Sequence, residues 1–169
     1  LLGNSGETSA GGIFFNASSG TVTNCVIVQN QTNDAGGGVM VYAGASAILT
    51  NCIIAGNSTR VSGAGVCCFE DSSTTMTDCI IRGNSATELH GGGVFCYLDS
   101  SSTMTDCTIA ENSARESSGG VCCWDNSPMT LTNCTIVENS AARDGGLCSG
   151  INSPTIFINC TIWGNSAVT

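Results

Sequence analysis

The segment Asn133-Cys134-Thr135-Ile136-Val137-Glu138-Asn139-Ser140-Ala141 decides how this chain is read. Its frame is Asn or Asp, then Cys, then Ile two residues on, then Asn three residues further. The same frame opens at Asn24-Cys25, Asn51-Cys52, Asp78-Cys79, Asp106-Cys107 and Asn159-Cys160, at intervals of 27, 27, 28, 27 and 26 residues. It carries Ile27, Ile54, Ile81, Ile109, Ile136 and Ile162, then Asn30, Asn57, Asn84, Asn112, Asn139 and Asn165. Upstream of each frame a glycine run, such as Gly91 to Gly93 or Gly119-Gly120, precedes an aliphatic residue (Ile13, Val39, Val66, Val94, Val121 or Leu147). A repeat of this length is the signature of a solenoid.

Each unit reads as three short strands. In the fourth unit these are Gly93 to Tyr97, Thr103 to Thr105 and Cys107 to Ala110, with a loop from Glu111 to Ser118 returning to the next glycines. No stretch has the 3.6-residue period of an amphipathic helix. Asn24, Asn51, Asp78, Asp106, Asn133 and Asn159 form a ladder at a tight bend, because Asn and Asp tolerate the left-handed backbone region better than other non-glycines. A unit of about 27 residues cannot bury its own apolar face. Stacking units about 4.8 Å apart lets every strand pair in parallel with the copies above and below. Alternation then sends inward the aliphatic column above, the column Phe15, Val41, Cys68, Cys96, Cys123 and Ser149, the column Val22, Leu49, Met76, Met104, Leu131 and Phe157, the isoleucines, and the frame cysteines.

These phrases (Asn-Cys-Thr-Ile, Glu-Asn-Ser-Ala, then Gly-Gly before Val or Leu) resemble the repeats of bacterial surface β-helix proteins, including chlamydial polymorphic outer-membrane proteins and long environmental tandem-repeat proteins. The resemblance spans the whole chain. It implies an all-β, right-handed parallel β-helix of about six coils with three strands per coil, in one domain covering residues 1–169, and a prokaryotic, extracellular or cell-surface setting.

Composition narrows the functions. Thirteen acids face four arginines with no lysine, for a formal charge of −9. That balance opposes phosphate backbones and anionic lipid, and no apolar run is long enough to span a bilayer. Nucleic-acid binding and membrane insertion are therefore not expected. The twelve cysteines have no CxxC spacing, and the one histidine, His90, sits in a loop, so no metal and no cofactor is expected. Cys25, Cys52, Cys79, Cys107, Cys134 and Cys160 form one column, one per coil, expected to be a ladder of buried thiols that pack as small hydrophobes. Asp78 and Asp106 stack as neighbours but occupy the turn column, while Glu70, Asp71, Asp99 and Asp125 sit in turns. The repeat is hardly interrupted anywhere to build a catalytic site, so the chain is expected not to be an enzyme.

The outward positions of the first strand carry Phe14, Met40, Cys67, Phe95, Cys122 and Cys148, and two residues on Tyr42, Phe69, Tyr97 and Trp124. Phe14, Met40, Tyr42, Phe69, Phe95, Tyr97 and Trp124 are expected to form an exposed face for lateral association with another protomer, with glycans as an alternative ligand. On the second strand Thr21 and Thr23, Thr75 and Thr77, Thr103 and Thr105, and Thr130 and Thr132 flank inward residues. These Thr-x-Thr arrays resemble the faces of β-solenoid ice-binding proteins, with Ile48, Ile156 and Ile158 as departures. Both ends share one phase of the repeat, Leu1-Leu2-Gly3-Asn4-Ser5 against Ile162-Trp163-Gly164-Asn165-Ser166. The expected partner is the chain itself, stacked head to tail into a structural filament with an axial repeat near six coil spacings, about 29 Å. A carbohydrate-binding or adhesin module is the alternative.

Overall fold

The computed structural model describes residues 1–7 and 9–167; the last two residues of the closing phase, Val168 and Thr169, lie outside them. The described residues form an all-β parallel solenoid with no helix. Each coil crosses four sheets. The first contains Ile13–Asn16, Val39–Tyr42, Val66–Phe69, Val94–Tyr97, Val121–Trp124 and Leu147–Ser149. The second contains Ser19–Thr23, Ser46–Thr50, Ser73–Thr77, Ser101–Thr105, Met129–Thr132 and Thr155–Ile158, and the third Val26–Val28, Ile53–Ala55, Ile80–Arg82, Thr108–Ala110, Thr135–Val137 and Thr161–Trp163. Every neighbouring pair in these sheets is parallel and paired residue for residue, for example Val66 with Val94 and Thr75 with Thr103.

The expected three strands per coil become four. The return loop supplies a short strand: Ser5–Gly6, Gln31–Thr32, Ser58–Thr59, Ser85–Ala86, Ser113–Ser117, Ser140–Arg143 and Ser166–Ala167. A second column of left-handed residues, Gln29, Gly56, Gly83, Glu111, Glu138 and Gly164, turns the chain into it. The fourth sheet thus has seven strands, and Leu2 bridges Val28 ahead of the first full coil. The described chain holds six coils and a leading half-coil rather than six coils without remainder.

The interior follows the alternation. Ile27, Val39, Val41, Leu49, Ile54, Met76, Ile81, Met104, Ile109, Leu131 and Ile136 are all sealed from solvent. A further inward column, Ala47, Thr74, Ser102 and Met129, joins them at the start of the second strand. The last glycine of each run faces inward against the next coil: a Cβ on Gly65 would lie 2.5 Å from the Gly93 carbonyl oxygen. No side chain fits there.

Register is held by three ladders. The expected turn ladder is present: Asn24, Asn51, Asp78, Asp106, Asn133 and Asn159 all have φ between 50° and 55°. Its side-chain bonds are solvent-exposed, such as Asn51 Nδ2 to Asn24 Oδ1 at 2.7 Å. The second ladder is buried and consists of the other asparagine column. The Asn84 amide Nδ2 donates to Asn112 Oδ1 at 2.9 Å and to the Ile54 carbonyl at 3.0 Å, while its Oδ1 accepts the Asn57 backbone N–H and Nδ2, each at 3.0 Å. Asn57, Asn112 and Asn139 repeat this pattern one coil along. The third ladder is serine. Ser72, Ser100, Ser127 and Ser153 are buried between the first and second strands, and the Ser100 hydroxyl accepts the Ser72 N–H at 3.2 Å while donating to the Leu98 carbonyl.

Asn84→Ala would leave the buried Asn57 backbone N–H without a partner, take one of two acceptors from Asn57 Nδ2 and one of two donors from the Ile54 carbonyl, and open a cavity in the wall, at about 1–3 kcal/mol for each group left short. Urea unfolding should show a loss of about 3 kcal/mol or more. Asn51→Gly, at an exposed left-handed turn that glycine accepts, should stay within about 1 kcal/mol of the parent.

Candidate functional site

The outward face of the first sheet differs from its expected form. Met40, Cys67, Phe95 and Cys122 are buried, at 8%, 0%, 6% and 0% exposure, so Met40 and Phe95 do not belong to an open face. The covering is the chain's own. With Ala35 these residues form a second apolar cluster outside the solenoid wall. Gly63 and Gly91, both in the left-handed region, press their backbones against Cys67 and Phe95; a Cβ there would sit 2.7 and 2.8 Å from the Cβ atoms of those residues. Gly36, Gly63 and Gly91 therefore fold the return loops back over the outward column, and the first sheet is covered on its outer side at Met40, Cys67, Phe95 and Cys122. The alternation rule assumes one solvated face, which is why it placed these residues in water.

Phe14, at 42% exposed, and half-buried Tyr42, Phe69, Tyr97 and Trp124 remain accessible. They border a groove of about 640 Å³ whose other wall includes Asp34, Val61, Leu89 and His90. The rings stack along the solenoid axis, with centroids 6.3 Å apart for Phe14–Tyr42, 5.9 Å for Tyr42–Phe69 and 5.3 Å for Phe69–Tyr97. Trp124 is covered on one side by Gly150, where any Cβ would strike the indole.

His90 sits 4.7 Å from the Trp124 ring and 6.2 Å from Phe95. Its Nδ1 is buried without a hydrogen-bond partner and its Nε2 is 3.8 Å from Glu116 Oε2. Burial lowers its pKa, Glu116 opposes that and Arg143 adds to it, so the ring is neutral at physiological pH.

All twelve cysteines are free thiols. The frame column is buried at Cys52, Cys79, Cys107 and Cys134. Its end members differ from the expected ladder: Cys25 is exposed and Cys160 half-buried, because only one side of each has a stacked coil. The thiols point at backbone carbonyls, as Cys107 Sγ does to Thr105 O at 3.2 Å and Met76 O at 3.6 Å. On the outer face Cys122 and Cys148 are register partners. A hydrogen bond from Cys122, and then one from Trp124 Nε1 at 3.1 Å, lower the Cys148 pKa to about 7, while the same thiol contact and burial push Cys122 up.

Glu70, Asp71, Asp99 and Asp125 occupy left-handed turn positions. Asp106 accepts from Asn133 Nδ2 at 3.0 Å within the turn ladder. Among the described residues no three His, Cys, Asp or Glu side chains are grouped to hold a metal ion. The Arg60–Glu88 ion pair, at 2.8 Å, is exposed.

Four parallel sheets, an asparagine stack inside the wall and coil-on-coil register define a parallel β-solenoid. Residues 11–169 match the family described as right handed beta helix region, and the chain belongs to that family. No curated protein and no solved structure matches it.

A thiol reagent should label only Cys25, Cys148 and Cys160 in the native protein and all twelve cysteines in denaturant. Because the Cys148 pKa is about 7, its labelling rate should climb between pH 6 and pH 8, where an ordinary thiol is still mostly protonated. Full labelling of the native chain would contradict the buried column.

Proposed function

We propose that the chain is a non-catalytic structural protein of the extracellular space or cell surface, a rigid solenoid rod that assembles with itself end to end into a fibre. The observation that carries this reading is the coil-on-coil register of the first three sheets, in which each coil is a parallel template for the next. Half of the exposed large apolar side chains belong to the outermost strands: Leu1 and Leu2 in one direction, and Ile156, Phe157, Ile158, Ile162 and Trp163 in the other. Open parallel edges template further pairing, and a contact between unlike ends generates an open filament.

Lateral contact between rods would use Phe14 and the accessible parts of Tyr42, Phe69, Tyr97 and Trp124.

Electron microscopy of concentrated protein should show unbranched rods one solenoid wide, with a coil spacing near ~4.8 Å. Single particles of one chain at every concentration would contradict the proposal.

A further inference from the structure

The outer face of the second sheet is the most regular surface of the molecule. One column runs Thr21, Ile48, Thr75, Thr103, Thr130, Ile156, and the other Thr23, Thr50, Thr77, Thr105, Thr132, Ile158, each residue register-paired with the next. Nine of these twelve positions are threonine. Rows repeat about every 4.8 Å up the stack, and the two columns stand about 6.8 Å apart along the strand. The regularity is not an automatic result of the repeat, since the fourth sheet slips its register between Ala114 and Ser117.

Three properties say what this surface can contact. First, no charged residue lies on any strand of the second sheet, in a chain with thirteen acids and four arginines. The partner is electroneutral. Second, none of the nine outward threonine hydroxyls has a protein hydrogen-bond partner among the described residues. The inward Thr74 hydroxyl, by contrast, bonds Ser102 at 2.9 Å, and Ser46 bonds Ser73 in the neighbouring outward column. The nine hydroxyls are free for an outside lattice of donors and acceptors. Third, the β-branched side chains have restricted χ1 freedom and, apart from Thr21 and Thr23 on the edge strand, stand on a backbone paired on both sides, so the hydroxyl and methyl positions are fixed before anything binds. Binding then loses little side-chain entropy.

A neutral, rigid, two-dimensional array of alternating methyls and unpaired hydroxyls suits a partner that is itself neutral and periodic in two dimensions. The oxygen lattice of ice repeats on the same few-ångström scale and offers donors and acceptors everywhere. We infer that the second-sheet threonine face, centred on Thr75, Thr77, Thr103 and Thr105, adsorbs to ice by holding an ordered water layer in register with the crystal. This reading stands apart from filament formation, because a single six-coil chain already presents the face.

The test is freezing-point hysteresis and ice-affinity partitioning of the purified chain, beside Thr103→Tyr and Thr75→Tyr on the face and Arg115→Tyr on the fourth sheet. Tyrosine favours exposed strands, and circular dichroism with urea unfolding confirms that each variant is folded. The parent and Arg115→Tyr should partition into ice and depress freezing below melting, and each face variant should lose most of both effects. The inference is overturned if the parent shows neither effect at high concentration, if the face variants keep full activity, or if sedimentation shows that this face is consumed in a dimer that the tyrosine variants disrupt.

Discussion

The constraint on which the structure depends is that each coil must lie directly over its neighbour, and the buried asparagine stack enforces it. A parallel sheet by itself tolerates sliding. An amide sealed inside the wall does not, because a slip of one residue would strand two donors and an acceptor without water. Each side chain from Asn57 to Asn139 uses both Nδ2 hydrogens and both lone pairs of Oδ1, so the ladder is fully satisfied and its members can polarise one another. A buried polar residue that specifies register has a parallel in coiled coils, where one asparagine selects the pairing. Here the device recurs in every coil. Isoleucine, cysteine and methionine supply apolar area, and the amides determine where that area goes.

Much of this architecture was legible in the residues. The inward columns, the left-handed bend at Asn24 through Asn159 and the parallel stacking all follow from period and alternation. Asn30 through Asn165 stood out as a column, but nothing in composition says whether an asparagine two residues before a loop is solvated or sealed. That distinction depends on the fourth strand, which is only two residues long in most coils and too short to show a pattern. The serine ladder was hidden for a related reason, since a serine beside Asp71 or Asp99 looks like ordinary turn chemistry. The covering of Met40, Cys67 and Phe95 is not visible in the alternation, because it depends on Gly36, Gly63 and Gly91. Their positive φ folds the loop back over Met40, Cys67 and Phe95, a long-range consequence of a local backbone choice.

Function follows from these surfaces unequally. The solenoid wall spends its polar groups on itself: amides on amides, serines on backbone, thiols on carbonyls. What remains for the outside is the outermost strands, the accessible parts of the aromatic ladder and the unpaired hydroxyls of the second sheet. The exposed Cys25 and the half-buried Cys148 and Cys160 are likewise products of position in the stack, since their counterparts inside it are sealed.

The central claim is that the Asn57, Asn84, Asn112 and Asn139 amides form one buried, fully bonded stack. Side-chain amide proton exchange, followed residue by residue in the nuclear magnetic resonance spectrum, tests it most directly. The account predicts that these four NH2 groups exchange many orders of magnitude more slowly than those of Asn24, Asn51 and Asn126, with protection near that of the core backbone. Exchange of the four at the rate of solvated asparagine would contradict it.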